Sequence, residues 1–360
     1  MRPSLKGKAK NLDHVLTKLA VVIPAHNEAA VIIRCVESIA RCSRPRETLV
    51  VETVVIADNC NDATAIVADQ AGARVIARVD ENNRGKGFAL THAFEKLITE
   101  RFDAFLVIDA DTIVEANLLT EIVTLLDAGA DGAQVKYCVL NPDATIRTRL
   151  MHVAFMAMNV LRPRGRERWN FSAGISGNGF ALTRTTLEGV PYDAHSVVED
   201  LEYHIRLVRS GRRIAFAHST TVRAEMPTGR IGVQTQRARW EGGRLRMITE
   251  NVPALVHDVA TGKIRMLEPL LDLLLLPLGF HVALLACALS VPFAPSRIYS
   301  LAALALVVVH VSTAVIVSGG DLSDFAVLFA SPFYVFWKIL LAPQTVKSAR
   351  RDAAWIRTER

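Results

Sequence analysis

The chain has 360 residues, 51% of them hydrophobic, with 42 basic against 36 acidic side chains. So many charges exclude a protein buried wholly in lipid, while a mean hydropathy of +0.25 is unusual for one wholly in water. The length suggests more than one domain, and the charges are unevenly placed: residues 266–346 hold only Glu268, Asp272, Arg297, Asp321, Asp324 and Lys338. The composition reads as a water-soluble body followed by a membrane region.

In chain order, compact apolar runs at 19–23, 51–57, 73–77 and 104–108 predict strands. Stretches with helical spacing at 28–42, 63–70, 88–100 and 115–126 predict helices between and after them. Short, nearly continuous apolar strands alternating with helices predict an α/β domain with a mainly parallel sheet and helices on both faces. Ligands of such sheets sit beyond the carboxyl ends of the strands. Polar clusters stand there: Pro24-Ala25-His26-Asn27-Glu28, Asp58-Asn59-Cys60-Asn61-Asp62 and Asp109-Ala110-Asp111.

Outside the membrane region basic residues exceed acidic ones by eight. That sign favours anionic lipid surfaces or nucleotide diphosphates, and charge alone does not exclude nucleic acid. The five scattered cysteines point to a reduced compartment with neither a disulfide framework nor a zinc site. The N-terminus offers no secretory signal, since Asn11, Asp13 and His14 precede any apolar core.

Asp109 and Asp111, one residue apart after an apolar run, can both reach toward a cation. Magnesium or manganese bridging a diphosphate needs few protein ligands, because phosphates and water supply the rest. The alternative is that Asp111 caps the following helix. Upstream, Arg84-Gly85-Lys86-Gly87 combines charge with glycines that let a backbone approach a phosphate. The Gly-x-x-x-x-Gly-Lys-Ser/Thr spacing of a P-loop is absent.

Val22 to Glu28, Asp58 to Asp62, Asn83 to Gly87 and Asp109 to Asp111 together resemble the ordered signatures of family-2 inverting glycosyltransferases. Val198-Glu199-Asp200 and Gln236-Arg237-Ala238-Arg239-Trp240 continue the series. The last of these is similar to the Gln-x-x-Arg-Trp motif of cellulose, chitin and hyaluronan synthases and of lipid glycosyltransferases such as ceramide glucosyltransferase. The resemblance covers about 19–246 and implies a GT-A nucleotide-diphospho-sugar transferase domain.

It also implies roles. Pro24, Glu28, Asp58, Lys86, Asp109, Gln236 and Arg239 would bind a UDP-sugar, with Glu28 and Asp58 at uracil and ribose, Lys86 near the diphosphate and Arg239 neutralising the leaving group. Asp111 and Asp109 would hold Mg2+ or Mn2+. Asp200 would be the general base, because one positioned carboxylate can activate a hydroxyl. Trp240, Glu199, Ser176 and Asn178 would line the acceptor side. Against these stand plainer readings: Glu199 and Asp200 as a helix start, and Trp240 as a packing residue. Arg147, Arg149, Arg162, Arg164, Arg166 and Arg168 form either a face for lipid headgroups or pyrophosphate, or a solvated basic face.

The expected organisation is an extension over 1–18, a cytosolic GT-A domain over 19–250, membrane helices within 251–346 and a basic tail over 347–360. Segments 270–293 and 299–317 are long enough to span. Segment 325–343 carries Pro332, Lys338 and an aromatic cluster that suits an interface. If all three crossed, the basic tail would lie outside, against the positive-inside rule. The expectation is therefore a multi-pass protein of a bacterial-type inner membrane, with two spans, an interfacial third segment and a cytosolic tail. In that tail Trp355, Arg357 and Thr358 resemble a loosely spaced nucleotide-closing segment of hyaluronan synthases; a plain basic tail fits equally. Two or three membrane helices are few for a polymer channel, which favours a lipid or lipid-linked saccharide acceptor; no nucleic acid partner is expected. The second reading is a processive β-glycan synthase acting as an oligomer or with a partner subunit. The non-enzyme alternative is a silent nucleotide-sugar-binding scaffold.

Overall fold

The computed structural model describes residues 15–337, apart from the side chains of 230, 231, 233–235 and 237–239. Its contacts divide it into two compact units, one of 1–137 with 163–224 and the other of 138–162 with 225–360.

The first unit opens with β1 (Lys18–Ala25), α1 (Ile32–Ala40), β2 (Val50–Asp58), α2 (Thr64–Gln70), β3 (Arg74–Arg78) and α3 (Lys86–Thr99). There follow β4 (Ala104–Val107), β5 (Thr112–Val114), α4 (Leu118–Asp127) and β6 (Gly132–Val139). All the elements expected over this stretch are present, with ends shifted by a few residues. Asp111 caps no helix: the short strand β5 follows it, and α4 begins only after Asn117.

An eight-stranded sheet has the order β3-β2-β1-β4-β7-β6-β8-β5, its last members being β7 (Phe180–Thr183) and β8 (Ile214–Ala224). Pairs β1–β2, β2–β3 and β1–β4 are parallel, whereas β4–β7, β6–β7 and β5–β8 are antiparallel. The sheet is therefore mixed. Helical crossovers impose parallel pairing on the first four strands, and these are the apolar runs visible in the sequence. The later strands carry polar residues such as Gln134, Lys136 and His218, which blur that signal.

Val22, Ile56, Phe105 and Val107 of the sheet pack with Leu90, Phe94 and Leu97 of α3. Each such side chain contributes roughly 1.5–3 kcal/mol on burial. Tyr203 and Leu207 belong to the same cluster and anchor the helix that begins at Glu199.

The second unit takes a segment from the middle of the chain. α5 (Ile146–Phe155) runs through a π-helical stretch, Met156–Leu161, into α6 (Arg162–Arg168). α7 (Arg184–Gly189) and α8 (Glu199–Arg209) return to the first unit, and α9 (Arg230–Ala260) begins the C-terminal helices. These continue as α10 (Leu267–Leu274), α11 (Leu278–Ser290), α12 (Ala294–Ser318) and α13 (Leu322–Ala326). Leu150, Val153, Met156 and Ala157 form a core with Val311, Ala314, Val315 and Val327.

The expected span over 270–293 is broken. The helices on either side of residues 275–277 meet at 76°. Pro277 has no N–H to continue the helix and disfavours helical geometry in the residue before it. Among the described residues one helix, Ala294–Ser318, is long and apolar enough to cross a membrane, with a mean hydropathy of 2.4; the bent pair would make a second only as one broken span. The third apolar segment appears as the shorter helical stretch Leu322–Trp337.

Half of the arginine series is occupied inside this unit. Arg162 pairs with Asp272, the acid of the first apolar segment. Arg149 reaches Asp143, Asp321 and Asp324. Arg147 lies over the Trp337 ring, 5.7 Å from its centroid.

A chain truncated after Thr261 should aggregate, because Leu150, Val153, Met156 and Ala157 lose their cover from α12 and Val327. Size-exclusion chromatography checks this; a monomeric truncated chain would show that the cover is dispensable.

Candidate functional site

The strand ends turn sharply. Asn27 and Asn59 adopt positive φ of 56° and 50°, a conformation asparagine tolerates better than most residues. The two turns are sewn together: the Asn61 N–H donates to Asn27 Oδ1 at 2.9 Å, and His26 Nδ1 lies 2.8 Å from the Asp58 carbonyl oxygen. The Glu28 N–H donates to Thr64 Oγ1 at 2.8 Å, which fixes this residue against the start of α2. Pro24 and Glu28 are half-buried, and Asp58 is buried.

Lys86 opens α3. Its ammonium pairs with Asp109 and donates to the Gly177 carbonyl at 2.6 Å. Burial alone would lower its pKa, but Asp109, Glu199 and Asp200 together hold it above the ordinary lysine value. Gly87 serves a contact other than the one its sequence suggests. A Cβ there would overlap the Ala194 carbonyl oxygen, so the glycine lets α3 approach the segment that leads to Asp200. Thr91 Oγ1 donates to the Tyr192 carbonyl at 2.8 Å, and Phe88 stacks on His195 at 4.0 Å, closing the same contact.

Asp109 and Asp111 sit in a turn held from beneath by Asn178. This fully buried amide accepts from the Asp109 N–H at 3.1 Å and donates to Thr112 Oγ1 at 2.8 Å. Both ends of Asn178 are thus engaged by the turn. Gln134, a glutamine inside β6, accepts from the Ser176 N–H at 2.9 Å and donates to the Asn178 carbonyl at 2.8 Å. The buried Ser176 Oγ has no hydrogen-bond partner among the described residues. The buried Cys35 thiol is pushed up, first by burial and then by Asp111 and Asp109.

Glu199 and Asp200 do form a helix start, the first turn of α8, where the helix dipole favours acids. They also flank the lysine site. Gly177, with φ of 76°, brings its Cα so close to Asp200 that a Cβ would lie 3.3 Å from Oδ2. Burial pushes Glu199 up to about 7, Lys86 pulling it down and Asp200 raising it; burial likewise raises Asp200. The Tyr192 phenol, buried and also raised by these acids, has no hydrogen-bond partner among the described residues.

Lys86, Asp109, Glu199 and Asp200 are therefore brought together. Gln236, Arg239 and Trp240 lie on α9 in the other unit. Gln236 is half-buried, and Trp240 packs against Phe155 with centroids 6.4 Å apart. The Arg239 side chain lies outside what is described, as do Trp355, Arg357 and Thr358. Sequence reasoning missed Arg78, Gln134 and Tyr192; a glutamine inside an apolar strand was the one available signal.

Residues 17–243 match the family described as "Glycosyltransferase like family 2". The "Probable glycosyltransferase YdaM" of Bacillus subtilis (strain 168) is 29% identical over 237 residues, 63% of this chain and 55% of that one. The "Probable glucomannan 4-beta-mannosyltransferase 1" of Arabidopsis thaliana is 24% identical over 250 residues, 66% of this chain and 45% of that one. The chain spans about half the length of these curated relatives. A solved mannosyltransferase, PcManGT from Pyrobaculum calidifontis in complex with GDP-Man and Mn2+, is 18% identical over 91% of this chain and 89% of that one, with a TM-score of 0.48. The strand-end site stands on a mixed α/β sheet of GT-A-like form. The chain belongs to glycosyltransferase family 2.

A carboxyl whose folded pKa exceeds its unfolded value loses stability as pH rises between the two. The ligand-free protein should become less stable between pH 4.5 and about 7, the ordinary and raised values for Glu199. Melting curves across that range should show a smaller slope for Glu199→Gln. Parallel curves would refute the assignment.

Proposed function

We propose that the protein is a membrane-bound inverting transferase that moves a sugar from a UDP-sugar to a lipid or lipid-linked saccharide. The observation that carries this reading is the grouping of Lys86 and Asp109 with Glu199 and Asp200. A cation suited to a diphosphate lies beside carboxylates of raised pKa suited to taking a proton.

In this reading the acceptor oxygen attacks the anomeric carbon from the face opposite the leaving group. Its proton passes to an Asp200 carboxylate oxygen as the bond between sugar and diphosphate breaks, and the nucleoside diphosphate leaves with the electron pair. One displacement inverts the centre, so a UDP-α-sugar gives a β linkage. Glu28 and Asp58 hold the nucleoside, and Lys86 and Arg239 balance the departing charge. Pro24 belongs to the donor side and Glu199, Ser176 and Asn178 to the acceptor side; the family resemblance gives Gln236 a donor role, Trp240 an acceptor role, and Trp355, Arg357 and Thr358, which lie outside the described residues, a role at the nucleotide.

Asp109 and Asp111 stand one residue apart in the turn that Asn178 holds, and hard oxygen donors of this kind suit Mg2+ or Mn2+. Among the described residues no three His, Cys, Asp or Glu side chains are grouped to hold an ion, so in this reading donor phosphates and water supply the remaining ligands. When bound, the ion would neutralise charge on the diphosphate.

Support for membrane attachment comes from the second unit. α12 leaves most of its apolar surface exposed, and Leu322, Phe329, Phe333 and Phe336 form one exposed stripe at helical spacing. Their exposures are 86%, 86%, 80% and 65%. The reading places α12 across a bacterial-type inner membrane, the bent pair as a second broken span, and this stripe in the interface of the cytosolic leaflet. Replacing all three phenylalanines by Asp should reduce recovery with vesicles of anionic lipid in a flotation assay; undiminished flotation would remove the stripe from the interface.

Turnover of a panel of UDP-sugars with membrane lipid extract, followed by mass analysis of the lipid product, tests the activity. The Asp200→Asn variant should lose about a hundredfold or more in rate yet still bind UDP. Retained turnover would overturn the assignment of the base. The Gln236 to Trp240 motif, with relatives named as glucomannan mannosyltransferases, favours a second reading as a polymer synthase, perceptible in the same experiment as products of many sugar units.

A further inference from the structure

β3 ends in Arg78, whose side chain is only 10% exposed. Its guanidinium joins Asp58 Oδ1 at 2.6 Å, Asp80 Oδ2 at 2.9 Å and the Asn83 carbonyl oxygen at 2.9 Å. Asp80 in turn shapes the loop after β3. Its Oδ1 accepts from the backbone N–H groups of Asn82 and Asn83 at 3.1 Å each. The Asp80 N–H donates to Asn59 Oδ1 at 2.8 Å, which ties this loop back to the turn after β2. The loop runs directly into Gly85 and Lys86.

The geometry at Asp58 is one-sided. Asn59 Nδ2 donates at 3.2 Å to the same Oδ1 that receives Arg78, and no described residue bonds Oδ2. A planar guanidinium, always charged, holds a carboxylate both ionised and fixed in rotation. With Oδ1 occupied, Oδ2 is the oxygen that a ligand meets.

We propose that Arg78 is a specificity-determining positioning residue for the nucleotide. By fixing Asp58 it presents a single acceptor oxygen at a set place, and by holding Asp80 and Asn83 it sets the distance from that oxygen to the loop bearing Lys86. All four bases carry an N–H, and the one whose N–H stands opposite the fixed Oδ2 is retained. One whose N–H does not leaves a buried charged oxygen unpaired and is rejected. A carboxylate free to rotate loses that discrimination. The inference rests on the reading of Asp58 as a nucleoside contact.

The test is calorimetric binding of UDP, GDP, CDP and ADP to the full-length protein in detergent with Mn2+. The wild type should prefer one nucleotide. Arg78→Gln should weaken that nucleotide by about tenfold or more while the others change by less than about threefold, so the selectivity ratio collapses. Arg78→Lys, which keeps the charge without the fork, should restore part of the ratio. Equal weakening of all four would mark Arg78 as merely structural and overturn the proposal, as would an unchanged ratio or a wild type with no preference. If Arg78→Gln does not fold, Arg78→Lys carries the same test through a partly reduced ratio, and a wild-type ratio in that variant overturns the proposal. Asp58→Asn separates the two levels. If it leaves nucleotide affinity unchanged, the reading of Asp58 fails and takes the inference with it. If it weakens binding while the Arg78 variants keep the ratio, the inference alone fails.

Discussion

The site is organised around one ammonium group. Lys86 is held between the Asp109 carboxylate and the Gly177 carbonyl, with Glu199 and Asp200 close enough to shift its titration. Four segments far apart in sequence meet at this cation: the end of β4, the start of α3, the Gly177 loop and the first turn of α8. Carboxylates gathered at a half-buried place repel one another, and a central cation is what lets them share it. The supporting parts follow from that requirement. Gly87 brings the lysine helix against the 194 backbone, Asn178 clamps the Asp109 turn, and Gln134 holds the loop that offers the Gly177 carbonyl.

How far the chain could be understood from its sequence depended on how local each signal was. Asp58, Lys86, Asp109 and Asp200 each stand at an end of an element, and such ends are marked by a change from apolar to polar residues over a few positions. Gln134 and Asn178 owe their roles to partners more than forty residues away, and Arg78 owes its place at the site to Asp58, twenty residues before it. Nothing near Arg78 in the sequence distinguishes it from a solvated arginine. The antiparallel half of the sheet was obscure for a related reason, since its strands mix polar residues with apolar ones and join through long connections.

The basic residues of α5 and α6 make the same point through electrostatics. As a sequence they read as a cationic face. In the fold, Arg149 and Arg162 neutralise Asp324 and Asp272, acids placed at the margins of apolar helices where an unpaired charge is costly. The charge asymmetry of the chain is thus partly internal: arginines supplied from the middle of the sequence balance acids of its C-terminal third.

The core shared by α5, the π-helical stretch and α12 also bears on how the protein is made. Leu150 and Val153 leave the ribosome well before Val311 and Val315, the residues that cover them. Synthesis at about 5–20 residues per second puts roughly eight to thirty seconds between the two events. Throughout that interval a row of aliphatic side chains stays uncovered while β7, β8 and α9 are still being made. In a chain built this way the closing of one core waits on the interval between the synthesis of its two halves.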